Sequence, residues 1–207
     1  MSECRVGVVV LGDLARSPRM KYHAQSLLSH GFSVDLVGYT TSPLPPSLLS
    51  RARVRSLTPV PGWLTSSLPR MISYLLKTVW QAVNLLLTLP LLSRLDYVLV
   101  QTPPGVPTLP TLALYCWLKG TRLVVDWHNY SHTILALALH PAHPLVSLTN
   151  ILERRAAATA HSAFCVTKVI LTVFNYISSY QPCSLSFSPH QGSPSFNLNL
   201  ISSHDLP

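Results

Sequence analysis

Acidic side chains are scarce in this sequence: seven Asp and Glu stand against fifteen Lys and Arg in 207 residues. Charged residues of both signs make up 11% of the chain and hydrophobic residues 48%, whereas an ordinary soluble domain carries about 25% charged residues. That shortage argues for contact with a membrane or with another protein surface. The basic excess gives a formal net charge of +8, a field that favours phosphates, nucleotides and anionic headgroups. Nucleic acid is not the expected partner. The basic residues are scattered, only Arg51, Arg53 and Arg55 cluster, and no nucleic-acid-binding motif accompanies them. The four cysteines, Cys4, Cys116, Cys165 and Cys183, have neither metal-ligand spacing nor the pattern of a disulfide framework. No metal site and no cofactor motif is read from them, and free thiols in a reducing compartment are expected. No charged segment followed by an apolar run and a cleavage site opens the chain, so no secretory signal is expected.

What is present is an alternation of strand and helix patterns. Residues 5–11 form a short apolar run rich in valine, which suits a parallel strand buried on both faces. A helix is expected from Pro18 to His30, capped by Ser17, opened by Pro18 and ended by Gly31. Further strands are expected at 32–39, 53–57, 97–101, 122–126 and 162–167, with helices at about 70–89, 108–118 and 145–160 between them. This order predicts an α/β fold, a Rossmann-like parallel sheet with helices on both faces, over residues 1–168. Every Lys and Arg lies at or before Lys168, and 169–207 holds a single acid, Asp205. That tail is expected to be unrelated to the domain and largely without regular structure.

In such sheets ligands gather beyond the carboxyl ends of the strands, which directs the search to three loops. The first contains Gly12, Asp13, Arg16, Ser17, Arg19 and, in the helix behind it, His23. A strand end meeting a helix N-terminus, with two arginines alongside, suits a phosphate or diphosphate, although an ordinary capped turn has the same outline. The second, Gln101-Thr102-Pro103-Pro104-Gly105, is a rigid loop in which Pro104 and Gly105 are candidates for a binding wall. The third, Asp126-Trp127-His128-Asn129-Tyr130, is the richest. Asp126 and His128 are the candidate proton acceptors, Trp127 and Tyr130 can cover the apolar face of a sugar, and Asn129 offers an amide.

The segment 71–87 approaches transmembrane hydropathy, yet Ser73, Lys77, Gln81, Asn84 and Thr88 recur as a polar stripe. A helix lying in the headgroup region, flanked by Arg70 and Arg94, fits this pattern better than a span. A core helix packed on the sheet is the alternative.

Several of these residues together resemble one family. Residues 9–13 (Val-Val-Leu-Gly-Asp), Arg16-Ser17-Pro18-Arg19-Met20, Tyr22-His23-Ala24, residues 30–34, residues 126–130, His143-Pro144-Leu145-Val146 and Cys165-Val166-Thr167 stand in the order found in the chitobiosyldiphosphodolichol beta-mannosyltransferase family. The resemblance covers about residues 6–168. It implies the N-terminal, acceptor-side half of a two-domain GT-B glycosyltransferase on the cytosolic face of the endoplasmic reticulum membrane. Such an enzyme transfers mannose from GDP-mannose to dolichol-diphosphate-linked chitobiose, forming a β-1,4 link with inversion, in the lipid-linked oligosaccharide pathway that feeds N-glycosylation. It implies no cofactor. Asp126 or His128 is then the base, and the remaining loop residues hold the acceptor. Thr102 departs from the family's Asn before Pro-Pro-Gly. Neither the family's N-terminal anchor nor its donor-binding C-terminal domain has a counterpart, so GDP-mannose is expected to act only when a donor domain is supplied. The rival readings are a non-catalytic remnant or regulator, and a membrane subunit that borrows a donor domain.

Overall fold

The computed structural model describes residues 4–66, 68–165 and 184–187. Seven strands form one sheet, in the order β3-β2-β1-β4-β5-β6-β7, with every neighbouring pair parallel. The strands are β1 (Arg5–Asp13), β2 (Ser33–Tyr39), β3 (Arg53–Ser56), β4 (Tyr97–Thr102), β5 (Arg122–Trp127), β6 (Ser162–Cys165) and β7 (Ser184–Phe187). The predicted Rossmann-like sheet is therefore present.

Helices cover both faces. On one side α1 (Pro18–Ser29) and α2 (Pro46–Leu49) pack Met20, Ala24, Leu27 and Leu48 on Val8, Val10, Leu36 and Leu99. On the other, α4 (Arg70–Thr88), α5 (Thr108–Lys119) and α7 (Pro144–Ala157) pack Leu85, Leu112, Cys116 and Ala157 on Val9, Val100 and Val125. Three of the α-helices, α2 and two others, α3 (Gly62–Thr65) and α6 (Ser131–Leu139), were not foreseen from the sequence. Because β1 leads outward to β2 and β3 before the chain returns to β4, the sheet reverses order between β1 and β4, the place where a cleft opens in doubly wound folds.

Local signals explain the boundaries. Pro18 opens α1, and Gly31 closes it at φ +82°, with Gly31 N–H donating to Leu28 O and Phe32 N–H to Leu27 O, the Schellman pattern that needs a left-handed residue. Ser17 does not cap α1 as expected: its hydroxyl donates to Asp13 O. Near its end β1 shifts register against β2 between Val9 and Asp13. This bulge presses Val10 O to 2.7 Å from where a Cβ on Gly38 would sit, with Leu14 Cγ at 2.8 Å. Gly38→Ala should therefore cost about 1–3 kcal/mol, read as a lower urea midpoint with an unchanged slope.

Two expectations change. The tail contributes β7, which pairs with β6 from Ser162 opposite Ser184 to Cys165 opposite Phe187. Ser-Leu-Ser-Phe alternates as a strand does, and pairing satisfies an otherwise open edge of β6. The rest of the expected tail, and the end of the expected strand 162–167, lie outside the described residues. The second change concerns α4. Most of the polar stripe faces the protein: Ser73, Gln81, Asn84 and Thr88 are half-buried while Lys77 is exposed, and Trp80 Nε1 and Asn84 Nδ2 both donate to Thr58 O, at 3.0 and 2.9 Å. The apolar stripe points away from the protein, with Leu75 60%, Val79 51% and Leu87 67% exposed. Only Leu85 in this helix and Leu89 just beyond it are fully buried. The helix thus packs on the sheet only near its end, through Leu85.

Candidate functional site

The site is built where α1 crosses the carboxyl end of β5. Parallel strands alternate faces, so Asp126 points towards α1 while Trp127 points towards α5 and α7. Asp126 is fully buried. Its Oδ2 accepts from Arg19 Nε at 2.7 Å, with His23 Nε2 at 3.2 Å and His128 Nε2 at 3.3 Å from the same oxygen. An ionised carboxylate can only accept, so each of these ring nitrogens carries its hydrogen towards Asp126. In neutral His128 the lone pair then resides on Nδ1. Burial alone would raise the Asp126 carboxyl, but hydrogen bonds from His128 and His23 and the Arg19 charge outweigh it and hold the group well below the ordinary carboxylate range. Asp126 is thus a weak proton acceptor, and it fixes the orientation of the His128 ring. His128, with a side chain 28% exposed, is the member of the group that reaches solvent.

The first loop divides its candidates. Asp13 Oδ1 accepts from Ala15 N–H at 3.1 Å, and Oδ2 accepts from the Thr41 and Ser42 hydroxyls, each at 2.6 Å. Donation from Ser42 and Thr41 lowers its carboxyl to about 2. Asp13 therefore latches the loop after β2 to the loop after β1. Arg16 lies 3.7 Å from Asp13 through Nε and is 82% exposed. It stands by the first turn of α1, whose N–H groups have no side-chain cap, so an anion arriving there meets both. Gly12 is half-buried at the end of β1. Arg19, expected beside Arg16, is turned inward to Asp126. His23 is buried and stacks on Phe164 of β6 with centroids 5.3 Å apart, which makes it a support for Asp126 and not a ligand-facing group.

The third loop also divides. Trp127, expected to cover a sugar, is fully buried in the core instead, with its ring 5.0 Å from that of Tyr130. Tyr130 is half-buried against the same cluster, and burial pushes its phenol up. Asn129 is exposed. The second and third loops are stitched together: His128 N–H donates to Thr102 O at 3.1 Å, Thr102 Oγ1 donates to Asp126 O at 3.4 Å, and Gly105 N–H donates to Ser131 Oγ. Pro104 lies half-buried beside Gly105 on that loop.

The structure adds one residue that the sequence reading missed. Glu153 of α7 is buried, accepts from Ser131 N–H at 2.8 Å and His132 N–H at 3.3 Å, and has His132 Nδ1 at 2.8 Å. The signal was available. Glu153 is the only acid between Asp126 and Asp205, and it falls on the inward stripe Val146, Thr149, Glu153, Ala156 of its helix. Among the described residues no group of three or more His, Cys, Asp and Glu is placed to hold a metal.

Comparison with known proteins agrees with this architecture. The chain is 40% identical over 169 residues to the chitobiosyldiphosphodolichol beta-mannosyltransferase of Mus musculus, a match covering 79% of this chain and 34% of that protein. It is 40% identical over 171 residues to the protein of the same name from Homo sapiens, covering 80% and 36%. It is 38% identical over 178 residues to the UDP-glycosyltransferase TURAN of Arabidopsis thaliana, covering 80% and 37%. The chain spans about a third of the length of these curated relatives. Among solved structures, a UDP-glucosyltransferase from Polygonum tinctorium superposes with a TM-score of 0.58 at 12% identity, covering 99% of this chain and 56% of that one. Phytolacca americana UGT2 superposes with a TM-score of 0.56 at 12% identity, covering 91% and 52%. These structures share the fold, a GT-B half matched in each case to about half of the solved chain. A model of the glycosyl transferase 4-like domain matches residues 17–172, well over half of the sequence, and this chain belongs to that family of glycosyltransferase domains.

Proposed function

We propose that this chain is the acceptor-side domain of an inverting β-1,4-mannosyltransferase acting on dolichol-diphosphate-linked chitobiose, with GDP-mannose supplied through a C-terminal donor domain. The observation that carries the reading is the Asp126 cluster: a buried carboxylate held ionised, with one partly exposed imidazole hydrogen-bonded to it at the ligand edge. His128 Nδ1 takes the proton from the acceptor sugar hydroxyl. The hydroxyl oxygen attacks the mannose anomeric carbon from the face opposite the leaving group, the bond from that carbon to the phosphate oxygen breaks, and GDP leaves on the donor side. Asp126, Arg19 and His23 hold the imidazole in the useful tautomer, in the manner of the carboxylate of a catalytic triad. The uncapped first turn of α1 with Arg16 receives the diphosphate of the lipid carrier, and Gly12, Ser17, Pro104, Gly105 and Asn129 form the surrounding walls.

A lipid-linked acceptor requires the domain to sit at a bilayer, and α4 supplies the surface. The stretch Met71–Leu91 is apolar and long enough to cross a membrane by length and composition. Its outward apolar face and inward polar stripe suit lipid contact. No acid occurs between Asp35 and Asp96, whereas Arg51, Arg53, Arg55, Arg70, Lys77 and Arg94 do, which suits the anionic cytosolic leaflet of the endoplasmic reticulum.

The test is transfer of radiolabelled mannose to a chitobiosyl-diphospholipid, with and without an added donor domain. Transfer that appears only on addition supports the proposal. No transfer in either arm, with the lipid retained by the chain, favours an acceptor-binding subunit or remnant. No retention of the lipid removes the acceptor-side reading altogether.

A further inference from the structure

The loop that carries His128 and Asn129 is fastened at its start by Thr102, through the bonds to His128 N–H and Asp126 O. Its far end is fastened from α7, more than twenty residues further along the chain. We propose that Glu153 is a positioning residue for the acceptor site: its carboxylate clamps the start of α6 against the Gly105 loop and so fixes where His128 and Asn129 stand. The proposal rests on the acceptor-side reading above.

Three observations carry it. First, Glu153 is buried, and its two oxygens serve two different residues of one helix start. Oε1 accepts from Ser131 N–H, and Oε2 accepts from His132 N–H and lies 2.8 Å from His132 Nδ1. These are the N–H groups that a helix leaves unsatisfied at its N-terminus, and Tyr130, the residue at the cap position, offers no side-chain hydrogen bond to them. A cap supplied from another helix fixes two helices relative to each other as well as ending one. Second, the same carboxylate reaches the opposite loop. A Cβ on Gly105 would lie 2.3 Å from Glu153 Oε1 and 2.9 Å from Ser131 Oγ, so the loop approaches this closely only because residue 105 has no side chain. Ser131 Oγ completes the contact by accepting from Gly105 N–H. Third, α6 lies packed on α7 with none of its own residues fully buried, so a polar clamp reaching from α7 adds directly to its placement.

The chemistry also sets the tautomer of a second imidazole. The carboxylate only accepts, so His132 Nδ1 carries hydrogen and Nε2 is left as the acceptor in the neutral ring. His132 lies 5.4 Å, centroid to centroid, from Tyr130, so the clamp is read through a ring inside the same loop.

The test uses the full chain in lipid nanodiscs and the Glu153→Gln variant, whose amide keeps the shape but presents N–H to N–H at one of the two oxygens. Nitrogen-15 spectra of the imidazoles report His132 and His128, and a chitobiosyl-diphospholipid titration reports the acceptor. The expected result is a folded variant, by circular dichroism, in which His132 loses its single tautomer, the His128 signal moves, and acceptor affinity falls by on the order of 10–100-fold, the usual scale for loss of an orienting partner. Gly105→Ala, which forces the same carboxylate aside, should give the same spectral changes, and the two substitutions together should cost less than their sum. Glu153→Asp, which shortens the reach, should not restore the wild-type spectra. If Glu153→Gln does not fold, Gly105→Ala and Glu153→Asp carry the same readouts. A variant with unchanged His128 signals overturns the positioning role whether or not acceptor binds. Failure of the wild-type chain to bind acceptor counts instead against the functional reading, while the imidazole spectra still decide the clamp.

Discussion

His128→Ala, in this chain supplied with its donor domain, is expected to lower mannose transfer by about 10²–10⁴-fold, the range for loss of a general base, with an unchanged circular dichroism spectrum. The fold should survive because His128 is partly exposed and its departure leaves Asp126 still bonded to Arg19 and His23. Asp126→Asn is a different experiment. It removes the charge paired with the Arg19 side chain, which is 24% exposed, and breaking such a pair costs about 3–5 kcal/mol. Its transfer rate must therefore be read beside its urea midpoint. The same bonds set an acid limit. The folded-state carboxyl of Asp126 lies below its ordinary value, so its contribution to stability is complete above about pH 4, near the unfolded value. That contribution is lost as pH falls through the folded-state value. Asp13, lowered to about 2, acts in the same direction and window. The part of the stability that Asp126→Asn removes should hold from pH 7 down to about pH 4 and then shrink, so the variant should show the shallower decline below that point. Near-normal transfer by a folded chain lacking the His128 imidazole would remove it as the base.

The second large effect concerns lipid. Changing Leu75, Val79 and Leu86 to Ser should abolish flotation with anionic liposomes and leave the fold intact, since all three side chains are exposed. At about 1 kcal/mol for each half-exposed aliphatic side chain withdrawn from lipid, below the 1.5–3 kcal/mol of full burial, the loss is roughly 10²-fold in partitioning. Exchanging Lys77 and Arg70 for Gln should weaken binding more modestly, and only where the lipid is anionic, because each basic group near such a surface contributes about 1 kcal/mol. Unfolding of the triple variant would show that those residues support the sheet. Persistent flotation would shift attention to other exposed apolar residues, such as Trp63 and Trp117.

Much of this was legible in the residues, for reasons that differ from element to element. β1, β4 and β5 are runs of β-branched and aliphatic residues, which declare themselves as strands buried on both faces. Pro18 and Gly31 bound α1 by chemistry that acts within a few residues. The candidate loops were chosen because ligands gather at the carboxyl ends of strands. Their internal division was harder to see. Asp126 and Trp127 are neighbours in sequence, but a strand turns successive side chains to opposite faces, so both of them could not face a ligand. The period-two rule already contained that answer. The pairing of Arg19 with Asp126 spans 107 positions and leaves no local trace, so the arginine read naturally as part of the loop it follows. The stripe on α4 was visible, but which stripe faced the protein was not. Its orientation is set by Thr58, which receives Trp80 and Asn84.

The strand order carries one more consequence, for the way the chain is made. β1 lies between β2 and β4, and β4 follows β1 by about ninety residues, with Val6 opposite Tyr97. Contacts so distant in sequence form late in folding. During synthesis β1, β2, β3 and the whole of α4 emerge from the ribosome before the strand that completes the centre of the sheet. Throughout that interval α4 has no finished sheet beneath it and a bilayer within reach on the cytosolic surface where the proposed function places it. On the proposed function, α4 meets the bilayer before the centre of the sheet closes.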